Sequence, residues 1–206
     1  MKRLKTLIGL LKSRTVIDIG SDHAYLPKLA LTNNIVDLAY VCDINVEPLL
    51  SGYRTIKQAQ LLDKTKFVLT NGLDYQVTNE GVDIVIAGMG GKEIISIIDN
   101  LSQPFTQLIL QPNNHVISLR QYLLTKNLEI SYESVVSERD KDYAYLVITP
   151  NPNTYTDKEI YVGRGNDDNI KMMRNKRLLQ LQEINSKHPL SDELLVEYQY
   201  LSQEEQ

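Results

Sequence analysis

The chain has a single cysteine, Cys42, in 206 residues. One thiol rules out an internal disulfide framework and suits the cytoplasm. Three scattered histidines, His23, His115 and His188, fall short of a dedicated zinc site. No apolar run approaches the roughly 20 residues that span a bilayer. The N-terminus is basic but lacks the apolar core and cleavage site of a signal peptide. Neither a metal nor a membrane is therefore expected. Also missing are the three glycines of Gly-x-Gly-x-x-Gly, a Walker-type Gly-Lys-Ser/Thr and a Gly-x-Ser-x-Gly elbow. These absences disfavour a nicotinamide dehydrogenase and a hydrolase. The formal net charge of −4 excludes a protein that is basic all over.

What remains is ordinary globular composition, 42% hydrophobic and 23% charged, enough chain for one good core and a small appendage. Two basic patches stand out. Residues 1–14 hold Lys2, Arg3, Lys5, Lys12 and Arg14 without an acid, and residues 171–187 hold Lys171, Arg174, Lys176, Arg177 and Lys187 against Glu183. Either patch alone reads as a solvated helix face. Together they offer phosphate contacts.

Leu4, Leu7, Ile8 and Leu11 recur at helical spacing over residues 2–12. Short apolar runs then alternate with helical patterns. Strands are expected at Thr15–Ile19, Leu38–Asp43, Lys66–Leu69, Val82–Ala87 and Gln107–Leu110. Helices are expected at Ala24–Thr32, capped by Asp22 or Ser21, and at Glu47–Leu61, Lys92–Asn100 and Ile117–Asn127. The alternation implies a parallel sheet covered on both faces. Ile130–Glu138 and Tyr143–Thr149, around the turn Arg139-Asp-Lys-Asp142, add an antiparallel hairpin. Pro150-Asn-Pro-Asn-Thr154 reads as a linker. Beyond it, two helices broken at Lys187-His-Pro189 form an antiparallel pair, a small coiled coil. The expected fold is α/β: a Rossmann-like domain over residues 1–152 and a helical domain over 153–206.

Chemistry-bearing residues cluster where strands end. Gly20, in Asp18-Ile-Gly-Ser-Asp22, leaves room for a cofactor at the first strand-to-helix turn. One glycine suits a cofactor without phosphates, such as S-adenosyl-L-methionine, and an acid near it can face the cationic amino group. A tight turn with an Asp cap explains the motif equally well. Asp43 lies 23 residues beyond Gly20, close to the spacing at which an acid takes ribose hydroxyls. Asn71 and Gly72, in Asn71-Gly-Leu-Asp74, would border adenine; an Asn-Gly turn has equal weight. Gly88-Met-Gly-Gly91 leaves backbone uncovered for a planar base or the reacting methyl, which marks Gly88 and Met89. Gln111 and Asn113 end the fifth strand and are candidates for substrate contact. His23 beside Asp22 supports the loop or takes an acid–base role. Cys42 reads as core.

Asp18-Ile-Gly-Ser-Asp-His-Ala-Tyr-Leu-Pro27, Ile86-Ala-Gly-Met-Gly-Gly91 and Leu110-Gln-Pro-Asn113, in that order, resemble the bacterial tRNA (adenine-22, N1)-methyltransferases. The resemblance covers roughly residues 3–150, and the helical pair matches that family's coiled-coil domain. It implies a class I methyltransferase that uses S-adenosyl-L-methionine on an adenine of the tRNA D-arm region. By position, Gly20, Asp22 and His23 fall in the family's cofactor loop. Asp43 replaces its usual Glu and Asn71 its usual Asp, so the adenine contact loses its charge. Arg3 stands at the family's N-terminal Arg-Leu pair. Asp22, Gly88 and Met89 become the expected catalytic positions, and Arg3, Gln111, Asn113, Arg174 and Arg177 the expected tRNA contacts, in a monomer. The alternatives are a methyltransferase for another RNA or a small molecule, and a non-catalytic RNA-binding module.

Overall fold

The computed structural model describes residues 2–72, 76, 78, 81–139 and 141–204. Leu73 and Asp74 of the third-strand loop and Asp140 of the hairpin turn lie outside them. Seven strands form one sheet: β1 (Thr15–Ile19), β2 (Leu38–Asp43), β3 (Thr65–Leu69), β4 (Asp83–Met89), β5 (Gln107–Pro112), β6 (Glu129–Glu138) and β7 (Lys141–Thr149), in the order β3-β2-β1-β4-β5-β7-β6. The first five run parallel; β7 inserts antiparallel between β5 and β6.

Successive strand residues point to opposite faces, so near-continuous apolar strands need cover on both. Ile17, Ile19, Cys42, Ile84, Ile86, Leu108 and Leu110 face Ile94, Leu119 and Leu123, supplied by α4 (Gly91–Asp99) and α5 (Val116–Thr125). Val16, Ala39, Val85 and Ile109 face Leu7, Leu26, Ala30 and Leu31, from α1 (Lys2–Gly9) and α2 (Tyr25–Thr32). Beside them α3 (Val46–Gln58) packs Ile56 on Val41 and Ala24. The segment after α1 is held by Asp83 at the start of β4. Its buried carboxylate accepts from the Lys12 and Ser13 amides at 2.5 and 3.0 Å, from the Ser13 hydroxyl at 2.9 Å and from Gln107 at 3.1 Å.

Three expectations are corrected. Neither Asp22 nor Ser21 caps α2: the N-cap is Ala24, left-handed at φ +54°, without a side-chain cap. The Ser21 hydroxyl donates instead to Asp18, at 2.5 Å, so the loop is tied to β1. Gly88 and Met89 are not loop residues. β4 runs on through them, around an irregularity where Ala87 pairs with Gln111 and Met89 with Pro112, and Gly88 takes φ +80°. Finally, the segment after the expected linker holds a third helix.

That helix, α6 (Asp157–Val162), has a capping box. The Thr156 hydroxyl accepts from the Glu159 amide and the Glu159 carboxylate from the Thr156 amide. With α7 (Asp168–Lys187) and α8 (Asp192–Gln203) it buries Val162, Leu178, Leu181 and Leu201. A buried polar seam joins these helices to the sheet. Arg120 of α5 pairs with Glu133 of β6 and donates to the Ile160 carbonyl at 2.9 Å; Tyr155 donates to Glu133 at 2.7 Å.

Candidate active site

The carboxyl ends of β1 to β4 meet two adjoining pockets. One, of about 310 Å³, is walled by Gly20, Asp22, Asp43, Ile44, Pro48, Thr70, Asn71, Gly72, Met89 and Ile97. The other, of about 260 Å³, is walled by Arg3, Asp18, Gly20, Ser21, Asp22, His23, Ala87 and Gly88. Gly20 and Asp22 belong to both. A crevice outside the carboxyl strand ends, flanking the point where strand order reverses, is where open α/β sheets bind ligands.

Gly20 is the hinge between the two. It sits at φ +70°, and a Cβ there would lie 1.8 Å from the Met89 Cε. The positive φ favours glycine, and a side chain there would push the flexible Met89 tip aside. The Gly20 and Ser21 amides donate to the Cys42 carbonyl at 2.9 and 3.2 Å, which fastens the β1 loop to β2. The Asp22 backbone is left-handed, φ +48°, and leaves its carboxylate open to solvent. His23 lines the second pocket, with its ring held on the loop. Its Nδ1 lies 2.6 Å from the Ser51 hydroxyl, its Nε2 3.4 Å from Asp22 and its ring 5.3 Å from Tyr25. The imidazole thus braces the loop against α3.

Two carboxylates approach from neighbouring strands. Asp43 ends β2 and accepts from the Asn45 amide at 2.9 Å, leaving acceptor capacity toward the first pocket. Asp18 is buried on β1, with Ser21 as its hydrogen-bond donor. Burial pushes its carboxyl up to about 7; the Ser21 hydroxyl pulls it down and the charge of Asp43 adds to the rise. Such a group is short of a cation. Burial and the same two acids also push the Cys42 thiol up, so it stays a neutral core group.

β4 and β5 close the floor. Asn113 donates its side-chain amide to the Gly88 carbonyl at 2.7 Å and its backbone amide to the Met89 carbonyl at 2.7 Å. Gln111 is fully buried. It donates to the Pro112 carbonyl at 3.1 Å and to the Asn113 side-chain oxygen at 3.2 Å. Gln111 therefore orients Asn113 from behind rather than standing at the surface. Asn71 is exposed at the rim, and Gly72, at φ +77°, packs against Ile97.

The expected C-terminal contacts lie elsewhere. Arg174 is buried and donates to the carbonyls of Val162, Gly163 and Gly165, each at 2.7 Å, and to Glu204 at 2.9 Å. It fastens α7 to the end of α6 and has nothing left for a phosphate. Arg177 forms a two-bond pair with Glu197, both at 2.8 Å. Neither lines the two pockets. Arg3 lines the second of them, and its guanidinium lies 4.9 Å from the centre of the Tyr143 ring. Tyr143 had no signal in the sequence; it reaches the site because β7 returns beside β5.

The Gly20 hollow, the diol-competent Asp43 and the cation-seeking Asp18 fit a nucleoside carrying a cationic tail. The model of the tRNA (adenine(22)-N(1))-methyltransferases matches residues 16–204. The chain belongs to that family. The Bacillus subtilis tRNA (adenine(22)-N(1))-methyltransferase is 35% identical over 150 residues, 71% of this chain and 63% of the relative. Mycoplasma capricolum TrmK, solved with S-adenosyl-homocysteine, superposes with a TM-score of 0.85 at 26% identity, covering 99% of this chain and 96% of that one. Streptococcus pneumoniae Sp1610, solved with S-adenosyl-L-methionine, gives 0.86 at 26% identity over 98% of each chain. The family's pattern thus spans both the sheet and the appended helices. Among the described residues, no helix is long and apolar enough to cross a membrane, and no group of His, Cys, Asp or Glu could hold a metal ion.

Proposed function

We propose that the protein transfers a methyl group from S-adenosyl-L-methionine to N1 of adenine 22 in tRNA. The observation that carries this reading is the pair of adjoining pockets that meet at Gly20. One is shaped for a nucleoside and the other opens onto an uncovered strand end. When bound, S-adenosyl-L-methionine supplies a methyl carried on a cationic sulfur. Asp43 would accept hydrogen bonds from the ribose diol. Asn71 and Gly72 would border the cofactor's adenine. Asp18 would face the cationic tail, which draws its carboxyl back toward the charged form.

The target adenine presents a free lone pair at N1, so no general base is needed to expose it. Positioning then supplies much of the acceleration. The Asn113 clamp holds the Gly88 carbonyl in place and Met89 packs over Gly20, so the floor under the reacting groups is pre-set. Methylation leaves the base cationic, and the open carboxylate of Asp22 would stabilise that charge. N1 lies on the pairing edge of adenine, so a paired target must leave its stack first. The lone buried thiol suits the cytoplasm, and a monomer is the proposed state. Residues 1–152 would carry the chemistry, with residues 153–206 as a helical unit beside them.

The test is transfer of labelled methyl to unmodified tRNA transcripts, followed by nucleoside analysis. Label recovered as 1-methyladenosine, and lost when adenine 22 is replaced, supports the reading. Bound cofactor with no label in tRNA refutes it.

A further inference from the structure

A third pocket, of about 500 Å³, opens beside the reaction pocket and is lined by Arg3, Pro112, Asn113, Lys141, Asp142 and Tyr143. Arg3 lines both pockets. Asn113, on the wall of the third, grips the Gly88 carbonyl on the wall of the second. Whatever fills one pocket therefore abuts whatever fills the other.

The charges here differ from those of the C-terminal basic patch. There Arg174, Lys176, Arg177 and Lys187 are spent on carbonyls or carboxylates, and of that patch Lys171 is left with no described side-chain partner. Among the described residues, the Arg3 side chain makes no hydrogen bond or ion pair, and its one described partner is the Tyr143 ring. Lys141 is exposed with no described ion pair. The acid in the pocket is neutralised: Lys176 bonds Asp142 at 2.6 Å and the Ser137 hydroxyl does so at 2.6 Å, and both hold its carboxyl below the ordinary range. The backbone is also anchored, because the Lys2 amide donates to Glu138, which pairs with Lys141 across the hairpin.

The Arg3 guanidinium, a planar cation held over the Tyr143 ring, lines this pocket. Nucleic-acid bases stack on such planes, and a nearby lysine meets the phosphate. We propose that this pocket is a second nucleotide subsite. It holds the tRNA nucleotide next to the target adenine, its base stacked on Arg3, with Arg3 stacked on Tyr143, and its phosphate against Lys141. The subsite would hold the strand open beside the flipped adenine. This rests on tRNA being the substrate.

The experiment places 2-aminopurine at tRNA position 21 or 23 and follows its fluorescence on binding, alongside steady-state methylation. With the wild-type protein, one of the two positions is expected to gain fluorescence as its base leaves the tRNA stack. Arg3→Ala and Tyr143→Ala should abolish that gain and raise the KM for tRNA about tenfold, the effect of one lost base stack. Arg3→Lys separates charge from stacking: it keeps the cation, loses the plane and should still lose the gain. Tyr143→Phe keeps the ring and should restore it, which shows that loss in Tyr143→Ala is not misfolding. An unchanged fluorescence gain and KM in Arg3→Ala and Tyr143→Ala, or no gain at either position with the wild type, overturn the subsite while tRNA methylation stands. Absence of tRNA methylation by the wild-type protein overturns the parent reading and the subsite with it.

Discussion

Asp18→Asn should make the cofactor-free protein more stable at alkaline pH. Asp18 is 5% exposed, and burial lifts its carboxyl from 3.8 to about 7. A carboxyl raised in the folded state binds a proton there that the unfolded chain has already lost. Its contribution is fully present below pH 3.8 and is lost as pH rises to about 7. Each unit is worth about 1.4 kcal/mol, so the whole window amounts to about 4 kcal/mol, an upper bound on the strain of keeping this charge buried. Asparagine carries no charge and can still accept from Ser21. Urea denaturation of wild type and variant between pH 5 and 8.5 tests this. The difference between the two curves should grow through the window and level off near pH 8. Parallel curves would refute the placement of Asp18 as a desolvated, cation-seeking acid. The same reasoning requires wild-type cofactor binding to release a proton near pH 6, visible by calorimetry in buffers of different ionisation enthalpy. That release should vanish in the variant.

Gly20→Ala adds a methyl 1.8 Å from Met89 Cε in a left-handed backbone. The strain of about 1–2 kcal/mol and the filled hollow should weaken cofactor binding about tenfold or more, read by titration calorimetry. Asp22→Asn removes the open carboxylate; kcat should fall roughly 10- to 100-fold with cofactor affinity kept, and unchanged turnover would remove Asp22 from the chemistry. Arg120→Met strips the cation from the buried Glu133 and should cost about 3–5 kcal/mol of stability in urea melts.

The parallel sheet was legible because its strands announce themselves as apolar runs bounded by glycine and asparagine. β1 and β2 lie where the runs predict, residue for residue. Gly20, Asp43 and Asn71 reach one pocket because each ends a parallel strand, and the parallel direction puts all those ends on one edge. That is a property of the pattern. Helix boundaries were less legible: α3 stops at Gln58 rather than Leu61, since the last apolar residue of a stripe can pack from outside the helix. α6 escaped notice because six residues carry too few turns to show a period; its capping box, Thr156 with Glu159, was the available signal.

Local sequence also determined that Gly20 leaves room and that Asp18 and Asp43 are acids at strand ends. Tertiary structure alone decided which charges remain for a ligand. Arg174 and Arg3 read alike as members of basic patches. One is consumed by three carbonyls brought to it by the chain between α6 and α7, and the other is left over an aromatic ring at the pocket mouth. Gln111 and Asn113 read alike as amides at the end of the fifth strand, yet one faces the interior and the other the rim. Composition and spacing place a polar group on an element. Whether that group is spent or available depends on partners distant in sequence, which only the packed chain brings within hydrogen-bond reach.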